Sequence, residues 1–207
     1  MVSQYYNSLR RQMSNQEPRE FKKNIFISYA RKDKELIQSF INSGENRDFG
    51  YWVDQGDIEP GANWKKRINE RIYDSDGAIL FITPNSLRED SPINKYEIPH
   101  FIKRKNDPND NFQFFPVFLD YVDQEIIDKY EFISEVDGKK EKLFETYDIW
   151  NIEANKTNDI EHEMPSEMSK NKREKFWADL NSQMSNALYN RKVTKIGDGQ
   201  YWDTDPL

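Results

Sequence analysis

The chain has 207 residues, a net charge of -7 from 30 basic and 37 acidic side chains, and no cysteine. That balance argues against a nucleic-acid partner, which needs a basic stripe to neutralise phosphates, and the lack of cysteine excludes disulfides, thiol nucleophiles and thiolate zinc sites. No apolar run approaches the roughly 20 residues that span a bilayer, and no apolar stretch follows Arg10 and Arg11 as in a secretory signal, so a cytoplasmic protein without a membrane partner is expected.

Mean hydropathy is low, at -1.00, but the apolar residues cluster in short blocks that can build a core. Tyr5, Leu9 and Met13 recur at helical spacing, and Pro18 ends that pattern. Residues 24–28 read as a buried strand. A loop from Tyr29 to Asp33 follows, then a helix marked by Leu36, Ile37, Phe40 and Ile41, with Asp33 as its N-cap and Gly44 near its end. Residues 51–53 predict a second strand, and the turn-rich loop Asp54 to Gly61 leads to a helix marked by Trp64, Ile68 and Ile72, capped by Asn63. A third strand spans 78–83 and closes at Pro84. Ser91 and Pro92 open a third helix, which Pro99 is expected to kink or end.

Residues 104–113 read as a polar loop and 114–119 as a fourth strand, in which Pro116 points to an edge or a bulge. Residues 120–160 carry little pattern beyond a short strand at 147–150, and 153–173 read as a loop. Phe176, Leu180, Met184 and Leu188 predict a long amphipathic helix. The tail from Val193 has no periodicity. Strands apolar on both faces, alternating with helices, imply an α/β domain: a flavodoxin-like parallel sheet of about five strands flanked by helices on both faces, with Ile25, Ile27, Ile79, Phe81 and Val117 buried. Ligands of such sheets bind beyond the carboxyl ends of the strands, on the loops after each strand.

The glycine-rich dinucleotide fingerprint and the phosphate-binding P-loop are both absent, and His100 and His162 stand alone, so neither a histidine triad nor a metal cluster is expected. Three strand-end segments draw attention instead. The first is Phe26-Ile27-Ser28-Tyr29-Ala30-Arg31-Lys32-Asp33. The second is Trp52-Val53-Asp54 with Asp57-Ile58-Glu59-Pro60-Gly61 and Trp64. The third is Ile82-Thr83-Pro84-Asn85-Ser86, continuing to Tyr96-Glu97-Ile98.

In this order, and with the later Phe115-Pro116-Val117-Phe118, these segments resemble the Toll/interleukin-1 receptor (TIR) domain over roughly residues 24–150 and the helix near 174–190. The resemblance implies a TIR domain over 23–190, with an N-terminal extension at 1–22 and a C-terminal tail at 191–207. It also implies an NAD+ glycohydrolase or ADP-ribosyl cyclase for which NAD+ is the substrate and no cofactor is needed. Glu97 matches the catalytic carboxylate of catalytic TIR domains. Ser28, Tyr29, Arg31, Asp33, Trp52, Asp54, Asp57, Ser86 and Tyr96 fall on the segments expected to contact substrate, with Trp64 assigned to the core. Ser91 is an alternative hydrogen-bond donor near Glu97.

The implied partners are other TIR copies, meeting through the loop Asp54 to Gly61, and a separate effector protein that reads a nucleotide product, as in bacterial antiphage systems of the Thoeris type. Two rival readings are a non-catalytic TIR assembly module and an enzyme similar to nucleoside deoxyribosyltransferases, which use a related sheet and a glutamate nucleophile. The sequence departs from the TIR pattern at Pro99, close to Glu97, and in the polar stretch 130–170.

Overall fold

Four of the apolar blocks pair into a parallel sheet in a computed structural model, which describes residues 23–44, 49–53, 64–88, 90–133, 140–152, 155, 163–189, 193–196 and 200–203. The strands are β1 (Lys23–Ser28), β2 (Phe49–Val53), β3 (Gly77–Ile82) and β4 (Gln113–Phe118). Their spatial order is β2-β1-β3-β4, with every neighbouring pair parallel. All six residues of β3 are buried, as a central strand covered on both faces requires.

The helices are α1 (Lys34–Gly44), α2 (Trp64–Tyr73), α3 (Ile98–Asn106), α4 (Gln124–Lys129), α5 (Leu143–Thr146) and α6 (Lys170–Leu188). Side chains alternate across the sheet, so each strand feeds two cores. Phe26, Ala78, Leu80, Phe114 and Phe118 meet Ile68 and Ile72 of α2 and Ile98, Phe101 and Ile102 of α3. Ile25, Ile27, Ile79, Phe81 and Val117, the five residues expected to be buried, meet Ile37 and Phe40 of α1 and Trp177, Leu180 and Met184 of α6. Burying a large apolar side chain stabilises by about 1.5–3 kcal/mol, so these two layers dominate the fold. In α6 the largest fully buried side chain is Trp177, edge-on to Phe40 at 5.3 Å, while the neighbouring Phe176 is only partly buried.

Pro116 sits where an edge strand tolerates it. A residue's N–H and C=O point to the same side of a strand, and the Pro116 carbonyl accepts from the Trp150 amide at 2.9 Å. The missing proline donor therefore faces away from β3, on the open side of β4. Trp150 makes a single parallel bridge to Val117 there, so the fifth strand expected at 147–150 is reduced to one bridge beside a four-stranded sheet. At the other end of β3, a Cβ on Gly77 would lie 2.7 Å from the Gln113 carbonyl oxygen, which explains a glycine at that close approach.

Other expectations are revised. The helix α3 runs to Asn106, shortening the loop expected at 104–113. Two antiparallel hairpins lack a sequence pattern long enough to read: β5 (Glu131–Ile133) with β6 (Lys140–Lys142), and β7 (Val193–Ile196) with β8 (Gln200–Asp203) in the tail. The expected N-terminal helix, the loop Asp54 to Gly61, the Asn63 cap and His162 lie outside the described residues. Among the described residues no helix is long and apolar enough to cross a membrane.

Arg104, in α3, ties the end of α2 to the loop before β4. Its guanidinium donates to Asp110 through Nε and Nη2 at 2.7 and 3.0 Å, and through Nη1 to the Ser75 carbonyl at 2.6 Å and the Ile72 carbonyl, with its charge 4.2 Å from the Phe112 ring centre. The Arg104 guanidinium holds the Asp110 carboxyl below the usual carboxylate range. This clamp fixes α2 against α3, the two elements whose first turns flank the cleft described next.

Candidate active site

The loops after β1 and β3 leave neighbouring strands for opposite faces of the sheet, since α1 packs with α6 while α3 packs with α2. That divergence opens a crevice at the carboxyl ends of the strands. A cleft of 660 Å³ occupies it, walled by Tyr29, Ala30, Arg31 and Lys32 after β1, by Trp64 and Ile68 of α2, and by Asn85, Arg88 and Asp90 after β3. Ser91, Pro92, Ile93 and Glu97, with Ile27 of β1, complete the lining.

Glu97 reaches the cleft through an irregular helix start. Ser91 Oγ accepts from the Ile93 amide at 3.2 Å, as expected of a capping serine. Residues Ile93–Glu97 then form a π-helical turn, closed by the Ile98 amide donating to the Ile93 carbonyl five residues earlier. In a straight α-helix Pro99 would clash with the carbonyl four residues before it and leave it without a donor. The wider turn absorbs that conflict, and Pro99 falls in the first turn of α3, where a missing N–H costs nothing. Pro99 therefore does not end the helix; it sets the π-turn. Such turns recur at functional sites because they re-aim a side chain.

The re-aimed side chain is Glu97, 6% exposed, whose Oε2 accepts a hydrogen bond from Ser28 Oγ at 2.5 Å. Ser28 is the last residue of β1 and is itself 1% exposed. A charge-assisted O–H···O bond this short is a strong one, and it holds the carboxylate at the cleft floor.

The turn after β3 is pinned by its own polar groups. Ser86 Oγ accepts from the Thr83 amide at 2.9 Å and donates to the Thr83 carbonyl at 3.0 Å. Thr83 Oγ1 donates to Asp33 Oδ2 at 2.9 Å. Burial raises the Asp33 carboxyl above its ordinary value, against the hydrogen bonds from Thr83 and Asn85, and the charge of Asp120 adds to the rise. Further along, Asn94 Nδ2 donates to the carbonyls of Leu87 at 3.0 Å and Arg88 at 2.7 Å. The partly buried Tyr130 hydroxyl donates to Asn94 Oδ1, and desolvation pushes that phenol well above its ordinary value.

Of the residues singled out from sequence, Tyr29, Arg31 and Glu97 line the cleft, and Ser28 lies beneath it against Glu97. Asp33 is not the N-cap of α1. It sits inside a 3-10 turn, Arg31–Asp33, whose N-cap is Ala30, and its carboxylate is spent on Thr83. Ser86 is committed to the β3 turn and is fully buried. Trp52 stacks on Phe26 at 4.8 Å and packs on the core. Trp64 packs against the same core, as expected, and also walls the cleft. Tyr96 supports Trp64 edge-on at 5.1 Å, with Lys65 Nζ 4.4 Å from its ring centre. Asp54 and Asp57 lie outside the described residues. His100 is a helix-face residue whose Nδ1 meets the Tyr96 carbonyl at 2.6 Å. Lys32, Asn85, Arg88 and Asp90 are cleft residues that sequence reasoning passed over. They lie in turns, where periodicity gives no signal; a polar cluster directly after a strand end was the available clue. Among the described residues no group of three or more His, Asp or Glu could hold a metal ion.

Comparison with known proteins agrees with this architecture. A stretch of 102 residues, 49% of this chain, is 28% identical to a protein of Methanobrevibacter olleyae described as "Probable 2' cyclic ADP-D-ribose synthase TcpO", of which it covers 25%. The chain thus spans about a quarter of that relative's length. The family model described as TIR domain matches residues 25–148, which take in β1 from Ile25 onward, the other three sheet strands and the Ser28–Glu97 pair. The chain belongs to the TIR domain family.

Proposed function

We propose that this chain cleaves NAD+ at the nicotinamide–ribose bond, with Glu97 as the carboxylate beside the ribose. The observation that carries the reading is the buried Ser28–Glu97 pair at the floor of a cleft at the sheet's carboxyl edge. The cleft volume lies within the range of about 300–1,000 Å³ typical of small-ligand pockets. The TIR relative named as a cyclic ADP-ribose synthase supports the same chemistry.

Nicotinamide leaves as a neutral base: the C1′–N bond breaks, the electron pair goes with the nitrogen, and no proton is required. The ribose carbon left behind carries oxocarbenium character. A carboxylate held in place by Ser28 stabilises that charge without reorganising when it develops. Attack by water at C1′ then gives ADP-ribose and a proton; attack by a hydroxyl of the same molecule gives a cyclic ADP-ribose and likewise releases that hydroxyl's proton. Arg31 and Lys32, exposed on the wall after β1, supply positive charge for the diphosphate, and Tyr29 and Trp64 supply ring faces.

Self-association belongs to the same reading. A neighbouring copy would exclude water from the cleft, so specific activity should rise with protein concentration, and a flat dilution series from a proven monomer would show a self-sufficient enzyme. A product nucleotide would then act on a separate effector protein. The primary test is a substrate screen on the purified chain at high concentration. NAD+ consumption with nicotinamide release supports the proposal. Consumption of a deoxynucleoside instead identifies a deoxyribosyltransferase, and consumption of neither points to a non-catalytic assembly module.

A further inference from the structure

Three cations, Arg31, Lys32 and Arg88, line the cleft from loops that follow different strands. Arg88 stands out by how it is held. Its carbonyl accepts from the Ser91 amide at 2.9 Å and from Asn94 Nδ2 at 2.7 Å, and Asn94 is in turn held by the partly buried Tyr130 hydroxyl. The backbone beneath this side chain is thus held by two hydrogen bonds at its carbonyl. The guanidinium, by contrast, meets the Asp90 carboxylate in a two-pronged pair, Nε to Oδ1 at 3.0 Å and Nη2 to Oδ2 at 2.8 Å. This fork is the geometry with which arginine grips a phosphate. Both side chains are well exposed, at 57% and 69%, and an ion pair so exposed is weak and readily exchanged.

We propose that Arg88 is a phosphate-binding residue of this cleft and that Asp90 is its built-in competitor, occupying the guanidinium fork until a diphosphate displaces it. The ligand class is a nucleoside diphosphate ester, of which ADP-ribose is the simplest probe. The inference rests on the dinucleotide reading of the cleft, but not on the cleavage step. Asp90 is ionised at neutral pH, as any exposed aspartate is, and the hydrogen bonds from Arg88 hold its carboxyl still lower. A nucleoside without phosphate gains nothing from opening the pair, so the device selects for phosphorylated ligands. When the fork opens, the two bonds at the Arg88 carbonyl keep the base of its side chain in place, and the exposed Asp90 carboxylate turns into solvent.

The test is calorimetric titration of ADP-ribose into the purified chain, with adenosine as the phosphate-free control. Arg88→Ala is expected to weaken ADP-ribose binding about tenfold or more, and Arg88→Lys by an intermediate factor, because lysine keeps the charge and loses the fork. Asp90→Asn is expected to tighten it about two- to fivefold, the scale of an exposed ion pair. Adenosine binding should move less than about twofold in each variant. In the Arg88→Ala background the Asp90→Asn gain should vanish, since competition needs the fork.

Three results would overturn the proposal: unchanged ADP-ribose affinity in Arg88→Ala, a gain from Asp90→Asn that persists without Arg88, or an equal loss of adenosine binding. The cleavage reading fails separately. Arg88-dependent ADP-ribose binding by a chain that leaves NAD+ intact would support this inference and contradict the enzyme. Cleavage of NAD+ with Arg88-independent ADP-ribose affinity would do the reverse.

Discussion

At the floor of the cleft, Ser28 and Glu97 are almost wholly buried and joined by a single short hydrogen bond, while on the rim Arg88 and Asp90 expose more than half of each side chain. Both are polar pairs within one cleft, yet they differ in what removing a partner does. In the buried pair the surviving group has little access to water to replace the lost bond, so the cost is large. In the exposed pair water and salt take over, so the cost is small. The floor suits a group that must not move while charge develops beside it. The rim suits groups that exchange partners when a ligand arrives.

Breaking the floor should produce the largest effect of this set. Ser28→Ala removes the donor to Glu97 Oε2 and is expected to lower kcat about ten- to a hundredfold, the range seen when an orienting group beside a catalytic one is lost. Ser28→Thr keeps the hydroxyl and should restore the rate. A merely structural role would lower the melting temperature and leave kcat of the folded chain in place.

The rim should respond more weakly and mainly to salt. Arg31→Ala and Lys32→Ala are each expected to raise KM for NAD+ about two- to tenfold at low ionic strength, with less change in kcat, and the difference should shrink as salt is added. A kcat loss that is insensitive to salt would place these residues with the floor.

Asp33 lies between the two regimes, partly buried and bonded to Thr83. Its carboxyl is raised in the folded state, chiefly by burial, so the fold holds that proton more tightly than the unfolded chain does. Its contribution to stability is therefore complete below the ordinary value of 3.8 and declines as pH rises through the folded-state value. Asp33→Asn keeps an acceptor for Thr83 and removes the titration. The variant should gain stability relative to the parent between pH 4 and 7, by under about 1 kcal/mol after solvent screening. Melting curves across that range check it; a gain that shrinks as pH rises would reverse the assignment.

The same contrast explains what could be read from the sequence. The sheet and both cores were legible because buried parallel strands are continuous apolar runs, as in Ala78 to Ile82, and because the helices repeat at their own period, as in Ile68 and Ile72. Glu97 was legible through family resemblance in its segment. Its pose was not, since Pro99 read as either a kink or a helix end; the clue to the π-turn was the five-residue step between the buried Ile93 and Ile98. Ser28 was read as a substrate contact because nothing local shows that a strand end and a helix start, 69 residues apart, will meet. Trp64 was legible as a core ring but not as a cleft wall, for a related reason: a partly buried ring can serve both, and only the packing shows it. Arg88 and Asp90 carry no periodicity at all.

The central claim, that the buried carboxylate at the floor carries the chemistry, is tested most directly by nicotinamide release from NAD+ with Glu97→Gln beside the parent chain. Glutamine keeps the volume and an acceptor for Ser28 but has no charge to set against the oxocarbenium. The variant should fold, with a melting temperature near the parent's, and its turnover should fall by about a thousandfold or more, the scale of losing a principal electrostatic group. A folded Glu97→Gln chain that releases nicotinamide at the parental rate would contradict the claim.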